Sequence, residues 1–261
     1  MSMIKTPDEI EKLKRGGEIL SRILREIRDA CVPGVGSEEL DAIARKRMAE
    51  AGGEPSFLGY RISKNDMAFP GALCVSINEE VVHGLPIPNR VIQKGDIVGL
   101  DIGMWYEGLA TDMATTVIVG DKANPNVRAL VADTRASLVQ GISVIKAGGW
   151  IRDISGAIED YLKPKKYGIV KDLVGHGVGH AVHEEPQVPN YREPRNKPIQ
   201  LEVGMVLAIE PMVTLGDWRV NVKEDGWTIV TADKSLAAHF EVTVVVTETG
   251  YDLITPWPDV N

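Results

Sequence analysis

Two distant stretches of this chain read as the same strand, each ending on an acid. Lys94-Gly95-Asp96-Ile97-Val98-Gly99-Leu100-Asp101 and Val203-Gly204-Met205-Val206-Leu207-Ala208-Ile209-Glu210 both enter through a glycine and run apolar. Gly95 stands as far from Gly204 as Asp101 stands from Glu210. A pair of helix-like segments precedes each stretch. Thr6-Pro7-Asp8-Glu9 carries an N-cap, a proline at the first helical position and a reciprocal glutamate. Ile10, Leu13, Ile19, Leu20, Ile23, Leu24 and Ile27 then recur at helical spacing. Pro33-Gly34 ends that helix, and Ser37-Glu38-Glu39-Leu40 opens a second that runs to about Gly52-Gly53. Further on, Val127 to Lys146 is again helical, closed by Ala147-Gly148-Gly149, and Arg152 to Leu162 follows. An internal duplication of α-α-β halves, about residues 5–120 and 125–250, accounts for order, spacing and acid together. No Pro/Gly/Ser-rich linker parts the halves, so one pseudo-two-fold α+β domain over residues 1–261 is expected.

Strand alternation then sorts the acids onto faces. Asp101 shares its face with Gly99 and Gly103, while Val98, Leu100 and Ile102 lie opposite. In Thr111 to Val119, Asp112 goes with Ala114 and Thr116. Glu210 goes with Ala208 and Val206, and Glu241 with Thr243 against Phe240, Val242, Val244 and Val246. Each acid thus sits mostly among small residues and is backed by bulky aliphatics. A single acid so placed would pass as a solvated strand face. Four, two of them related by the repeat, predict carboxylates converging over a sheet.

Convergence has an electrostatic consequence. Two unit charges about 4 Å apart repel by about 4 kcal/mol at an effective dielectric near 20. Over the six pairs of four clustered carboxylates, the repulsion is on the order of 20 kcal/mol. Protons or cations must relieve it. Carboxylate-rich sites suit manganese, iron, cobalt or magnesium, and an imidazole tilts the choice towards transition metals. Acids able to bridge predict a dinuclear centre.

An imidazole is available in Gly175-His176-Gly177-Val178-Gly179-His180-Ala181-Val182-His183-Glu184-Glu185-Pro186. His176 and His180 have the spacing of paired zinc ligands on a helix, but the interleaved glycines argue against a helix and no Glu follows His176. Glycine at this density predicts backbone brought close to something bound.

Composition narrows the function classes. The chain is 44% hydrophobic and 25% charged, as in ordinary globular proteins. Its formal net charge of −8 gives no general attraction to nucleic acid or to an acidic membrane surface. The basic clusters Lys163 to Lys166 and Arg192 to Lys197 read as solvated loop or helix ends. The charged stretch from Met1 to Gly17 does not read as a signal peptide, and no apolar run reaches membrane-spanning length. Cytoplasmic location is the expectation.

Taken in order, these motifs resemble the type I methionine aminopeptidases of the pita-bread fold. The likeness is carried by Ser76-Ile77-Asn78-Glu79-Glu80-Val81-Val82-His83-Gly84-Leu85-Pro86, Lys94 to Val98, the pair Asp101 and Asp112, Gly175 to Gly179, His183 to Val188, Glu210-Pro211-Met212 and Asp225-Gly226-Trp227-Thr228. It implies a pita-bread fold, with α-α-β halves around a curved antiparallel sheet. It implies that Asp101, Asp112, His176, Glu210 and Glu241 hold two divalent ions (cobalt, manganese, iron or zinc), with Asp112 and Glu241 bridging. His83 and His183 are then expected to contact the substrate around the scissile amide, and Glu210 to shuttle a proton. Tyr60, Phe69, Cys74 and Trp227 match positions lining a methionine side-chain pocket, with Phe57 and Val182 nearby. Cys74 is expected to be a wall of that pocket and not a nucleophile. His180 matches no functional position.

The implied reaction is removal of the initiator methionine from nascent N-termini with a small second residue. A water bridging the ions, acidified from 15.7 towards about 7, attacks the first carbonyl. A monomer acting at the ribosome is the accompanying expectation. A proline-specific pita-bread peptidase would use the same ligands but usually carries an added N-terminal domain, and a non-catalytic binding relative would lack them. The sequence departs from the family pattern once: Arg61 to Ala68 separates Tyr60 from Phe69-Pro70, and this insertion is expected to reshape the pocket rim.

Overall fold

The computed structural model describes residues 2–64, 66–120, 124–194 and 198–257. Asn65 of the insertion, and the last three residues of the cluster Arg192 to Lys197, lie outside them. Four α-helices are described: α1 (Pro7–Ala30), α2 (Ser37–Glu50), α3 (Pro125–Ser143) and α4 (Ile151–Leu162). The start of α1 follows its capping signature. Glu9 N–H donates to Thr6 Oγ1 over 3.3 Å, and the Glu9 carboxylate accepts from Thr6 N–H over 2.8 Å. Some ends fall short of the sequence reading. α2 stops at Glu50, and α3 stops at Ser143 instead of running to Lys146. The strand read from Val203 is only Val206–Ile209, because Gly204, at φ +87°, bends the chain where its carbonyl accepts Lys5 N–H over 2.8 Å.

The strands are antiparallel. A long hairpin, Ile97–Tyr106 with Leu109–Ile118, is flanked by Leu73–Ile77 and the short Glu54–Pro55. In the other half, a five-stranded sheet orders Tyr251–Leu253, Val242–Val246, Val206–Ile209, Gly175–Gly177 and Glu184–Val188. Helices cover the outer faces. Leu20, Leu24 and Ile27 of α1 pack with Val98, Leu100 and Ile102, the residues read as opposite Asp101. Leu138 of α3 and Ile154 and Ile158 of α4 pack with Leu207, Ile209, Val242 and Val244. This α+β layering buries the aliphatic strand faces under helices and leaves the acid-bearing faces turned towards each other.

Corresponding points in the halves carry corresponding backbone bonds. Gly34 and Gly148 both have positive φ and donate to Ile92 O and Leu201 O, each over 2.8 Å. Ser37 N–H reaches Arg90 O over 2.9 Å, and Ile151 N–H reaches Ile199 O over 3.0 Å. Gly95 and Gly204 donate to Val119 O and Val246 O over 2.8 and 3.0 Å.

The halves meet along Leu109–Ile118. Ala114 and Glu241 exchange both backbone bonds, over 3.2 and 3.0 Å. Beside them the fully buried Thr243 hydroxyl donates to Asp112 O over 2.7 Å. Replacing Thr243 by Val keeps the shape but orphans that carbonyl. Urea unfolding in EDTA should show a loss of about 1–3 kcal/mol, with Thr243→Ser losing less. Equal stability of Val and Ser variants would remove the hydroxyl from the joint between the halves.

Candidate metal centre and adjoining pocket

Regular strand pairing delivers the acids to one place. Asp101 pairs in register with Cys74 on one side and Ala114 on the other, and Asp112 stands opposite Gly103. A Cβ at residue 103 would lie 2.2 Å from Ser56 Oγ, so the crowding there requires glycine. Glu241 arrives through its bridge to Ala114. Glu210 follows directly on Val206–Ile209, and His176 pairs with Ala208 in the adjacent strand. One donor atom each from Asp112, His176 and Glu241 lies within 4.8 Å of the others. The same separation holds for Glu210, His239 and Glu241. Asp101 lines the same cavity as these acids, and its thiol neighbour Cys74 donates to its carboxylate. All five residues expected as ligands therefore come together.

Burial sets the protonation of this cluster. It raises the Asp101, Asp112, Glu210 and Glu241 carboxyls above the usual range, and for Asp112 and Glu241 the neighbouring acids raise them further. It lowers His176 to about 3 and His83 to about 4, and both His183 and His239 also fall. His176 is oriented by its Nδ1, 2.9 Å from Gly177 O. A carbonyl only accepts, so Nδ1 carries the proton and the Nε2 lone pair faces Glu210 Oε1 at 3.4 Å. Asp101 Oδ1, Asp112 Oδ1 and Glu241 Oε1 are buried without a protein partner. Buried acceptors clustered without protein donors fit divalent cations, and the mixture of carboxylates and imidazole fits transition metals.

A cavity of about 440 Å³ opens on this cluster, lined on its apolar side by Phe57, Tyr60, Ile62, Phe69, Cys74 and Trp227. Phe69 meets Trp227 edge-on at 5.4 Å and Phe57 at 6.3 Å. Asp225 caps the turn carrying Trp227, accepting from Trp227 N–H and Thr228 N–H over 2.9 and 2.8 Å. The insertion leaves both Tyr60 and Phe69 in the wall, because Phe69 N–H bonds Tyr60 O over 2.9 Å and closes the loop at its base. Ile62 joins the rim, and Trp227 Nε1 donates to Met67 O over 3.0 Å. Burial, reinforced by Asp101, pushes the Cys74 thiol up, as a pocket wall requires. His183 stands between pocket and acids, with Tyr60 Oη 2.9 Å from its Nδ1 and the His176 ring at 4.4 Å. His83, at φ +58°, meets Trp227 edge-on at 6.3 Å. A larger cleft of about 710 Å³ between α4 and Arg192 contains none of these groups.

His180 lies outside the cluster, its Nε2 2.7 Å from Glu9 Oε1, tying the glycine-rich loop to α1. This imidazole holds the Glu9 carboxyl down at about 2. His239 is the residue that the sequence reading passed over. The alternation that put Thr243 with Glu241 also puts residue 239 on that face, so the signal stood two places upstream.

Several known proteins share this chain's sequence and fold. The profile of Metallopeptidase family M24 matches residues 11–248. A methionine aminopeptidase of Borreliella burgdorferi is 45% identical over 245 residues, 94% of each chain. Methionine aminopeptidase 1 of Bacillus subtilis is 41% identical over 255 residues, covering 98% of this chain and 99% of its own. The crystal structure of methionine aminopeptidase from Thermotoga maritima superposes with a TM-score of 0.91 at 44% identity, over 98% of this chain and 99% of that one. Prolidase from Pyrococcus furiosus, at 24% identity and a TM-score of 0.76, covers 97% of this chain and 65% of its own, and shares the fold alone.

The raised carboxyls make stability depend on pH with a definite sign. Asp101 and Glu210 keep their protons to about 7 and about 8 in the folded, ion-free protein, whereas unfolded carboxyls release theirs near about 4. Their penalty therefore grows as pH rises through that interval. The buried histidines act oppositely below about pH 6.5, where the unfolded chain takes up protons that they refuse. The melting temperature of EDTA-treated protein should thus fall between about pH 6.5 and about pH 8, and saturating Mn(II) should abolish the fall. A melting temperature in EDTA that climbs over that window would contradict the buried-carboxylate account.

Proposed function

The chain belongs to metallopeptidase family M24, and on that premise we propose that its centre holds two divalent ions and removes the N-terminal methionine from proteins and peptides with a small second residue. The observation that carries this reading is the contact between five metal-type donors and an apolar, thiol-walled pocket in one cavity. The pita-bread architecture, common to this chain and its structural relatives, supports it.

Asp101, Asp112, His176, Glu210 and Glu241 would hold the ions, with Asp112 and Glu241 shared between them. Bound ions supply Lewis acidity to a carbonyl and bring a water's pKa from 15.7 towards about 7. The chain's own groups do the rest. Phe57, Tyr60, Phe69, Cys74 and Trp227 take the thioether side chain, for which a soft apolar wall is suited. The Tyr60 phenol, kept protonated by burial, lies 2.9 Å from His183 Nδ1, and by donating there it would place the neutral imidazole's proton on Nε2. That Nε2–H is the donor offered to the substrate carbonyl. Glu210 accepts a proton as water adds to that carbonyl and returns it to the nitrogen as the C–N bond breaks. His83, neutral through burial, holds the amide beside Trp227.

The doubled backbone bonds support an internal duplication within one catalytic domain. Cobalt, manganese, iron or zinc would suit the donors. The proposed setting is the cytoplasm, where a monomer meets nascent chains at the ribosome. Among the described residues, no helix is long and apolar enough to cross a membrane. A net charge of −8 gives no general pull towards RNA, so the N-terminus itself is the feature recognised.

Stripping the protein with EDTA should abolish release of methionine from Met-Ala-Ser, and Mn(II) or Co(II) should restore it. Undiminished turnover after chelation would remove the metal mechanism, and faster cleavage of Ala-Pro peptides would redirect the specificity. His183→Ala should lower kcat by about 10²–10³, while Trp227→Ala should act mainly on KM. Cleavage in the two variants impaired through the same parameter would refute this division between chemistry and pocket.

A further inference from the structure

Lys5, just ahead of α1, is a lysine shut away from water: its side chain is 0% exposed. An ammonium so placed needs a counter-charge. Its Nζ donates to Glu184 Oε1, on the residue next to His183. The Glu184 side chain is itself only 10% exposed, and its other oxygen, Oε2, accepts Ala181 N–H over 3.2 Å. One carboxylate therefore joins the buried ammonium to the turn 181–184, and His183 rides on that turn.

The start of the chain grips this loop at further points. Lys5 N–H is fixed on Gly204 O, and Ile4 bridges to Met205. Gly179, at φ +138°, passes so close that a Cβ there would lie 2.4 Å from Lys5 Cε. Its carbonyl is held by Ala110 N–H over 2.8 Å. Leu13 shares an apolar cluster with Val178 and Val182, and Glu9 holds His180. On the pocket side, Tyr60 Oη meets the His183 ring at Nδ1. The ring is thus set from the pocket, and its backbone from the buried pair.

Without the ammonium, the Glu184 carboxylate would keep a charge with little water to solvate it. It relieves that cost by turning outward, which gives up Ala181 N–H and frees the turn beneath His183.

We propose that Lys5 is a positioning residue for His183: its ammonium locks Glu184 onto the 181–184 turn, so that the imidazole meets the substrate carbonyl. The inference rests on the reading of His183 as donor to that carbonyl, and it adds the distant residue that aims it.

The test is a double-mutant cycle on Mn(II)-loaded protein with Met-Ala-Ser. Lys5→Met and Glu184→Asp are each assayed alone and together with His183→Ala, and Co(II) binding is followed by calorimetry. Lys5→Met should lower kcat by about 10–10²-fold, as expected for a displaced catalytic group, and leave KM unchanged. Glu184→Asp keeps both charges, but a carboxylate shorter by one methylene no longer spans Lys5 Nζ and Ala181 N–H. It should also lower kcat, and it decides the matter alone if Lys5→Met does not fold. In the His183→Ala background both losses should vanish, to within about twofold. Co(II) affinity should match wild type throughout.

Wild-type kcat in Glu184→Asp, or an equal loss with and without His183, would overturn the positioning role and leave the peptidase reading standing. So would a loss carried by KM or by weakened Co(II) binding. Wild-type kcat in His183→Ala would overturn the role of His183 and this inference with it.

Discussion

Four carboxylates buried within reach of one another are the constraint around which this molecule is arranged. Each such pair repels by about 4 kcal/mol at about 4 Å, and desolvation adds to the penalty. No strand propensity or aliphatic packing favours that arrangement. The protein holds it because each acid is a strand residue, or the next residue on, whose neighbours are committed elsewhere. Val98, Leu100 and Ile102 are buried under α1 and α2, so Asp101 must point the other way. Leu207 and Ile209 are buried under α3 and α4, so Val206, Ala208 and Glu210 turn inward. The helical cores position the acids, and cations or protons then make the position tolerable.

This division explains what could be read in advance. Alternation along a strand is local, so the face of each acid was legible from its immediate neighbours, as was the glycine-rich approach of His176. The capping box of Thr6 and Glu9 was equally local. Helix and strand ends were less so, since they are set by distant partners. The strand read from Val203 begins only at Val206 because Lys5, nearly two hundred residues upstream, bonds to Gly204. The insertion after Tyr60 was visible as extra residues. That Phe69 N–H closes it at the base, keeping both aromatics in one wall, is a tertiary fact.

His239 was missed for another reason. An isolated histidine in a short strand is ordinary core material, and its meaning depends on Glu210, which reaches it from a neighbouring strand pair. The pairing of Met212 with His239 brings the Glu210 strand end alongside. A buried nitrogen without a partner is found only by accounting for every polar atom.

The distribution of the donors along the chain also bears on how the centre can form. Asp101 and Asp112 come from the first half, while His176, Glu210 and Glu241 come from the second. Neither half alone brings more than part of the set, and Glu241 is brought to Asp112 by the Ala114 bridge and the Thr243 hydroxyl beside it. Docking of the halves is therefore the step that concentrates the charge, and it is also the step that an ion would favour. Cations binding the docked form alone shift that equilibrium by mass action. The aliphatic faces of the two helical cores lie away from the acids, so their packing does not depend on the charge at the centre. Closure of the centre is where metal and fold become one equilibrium.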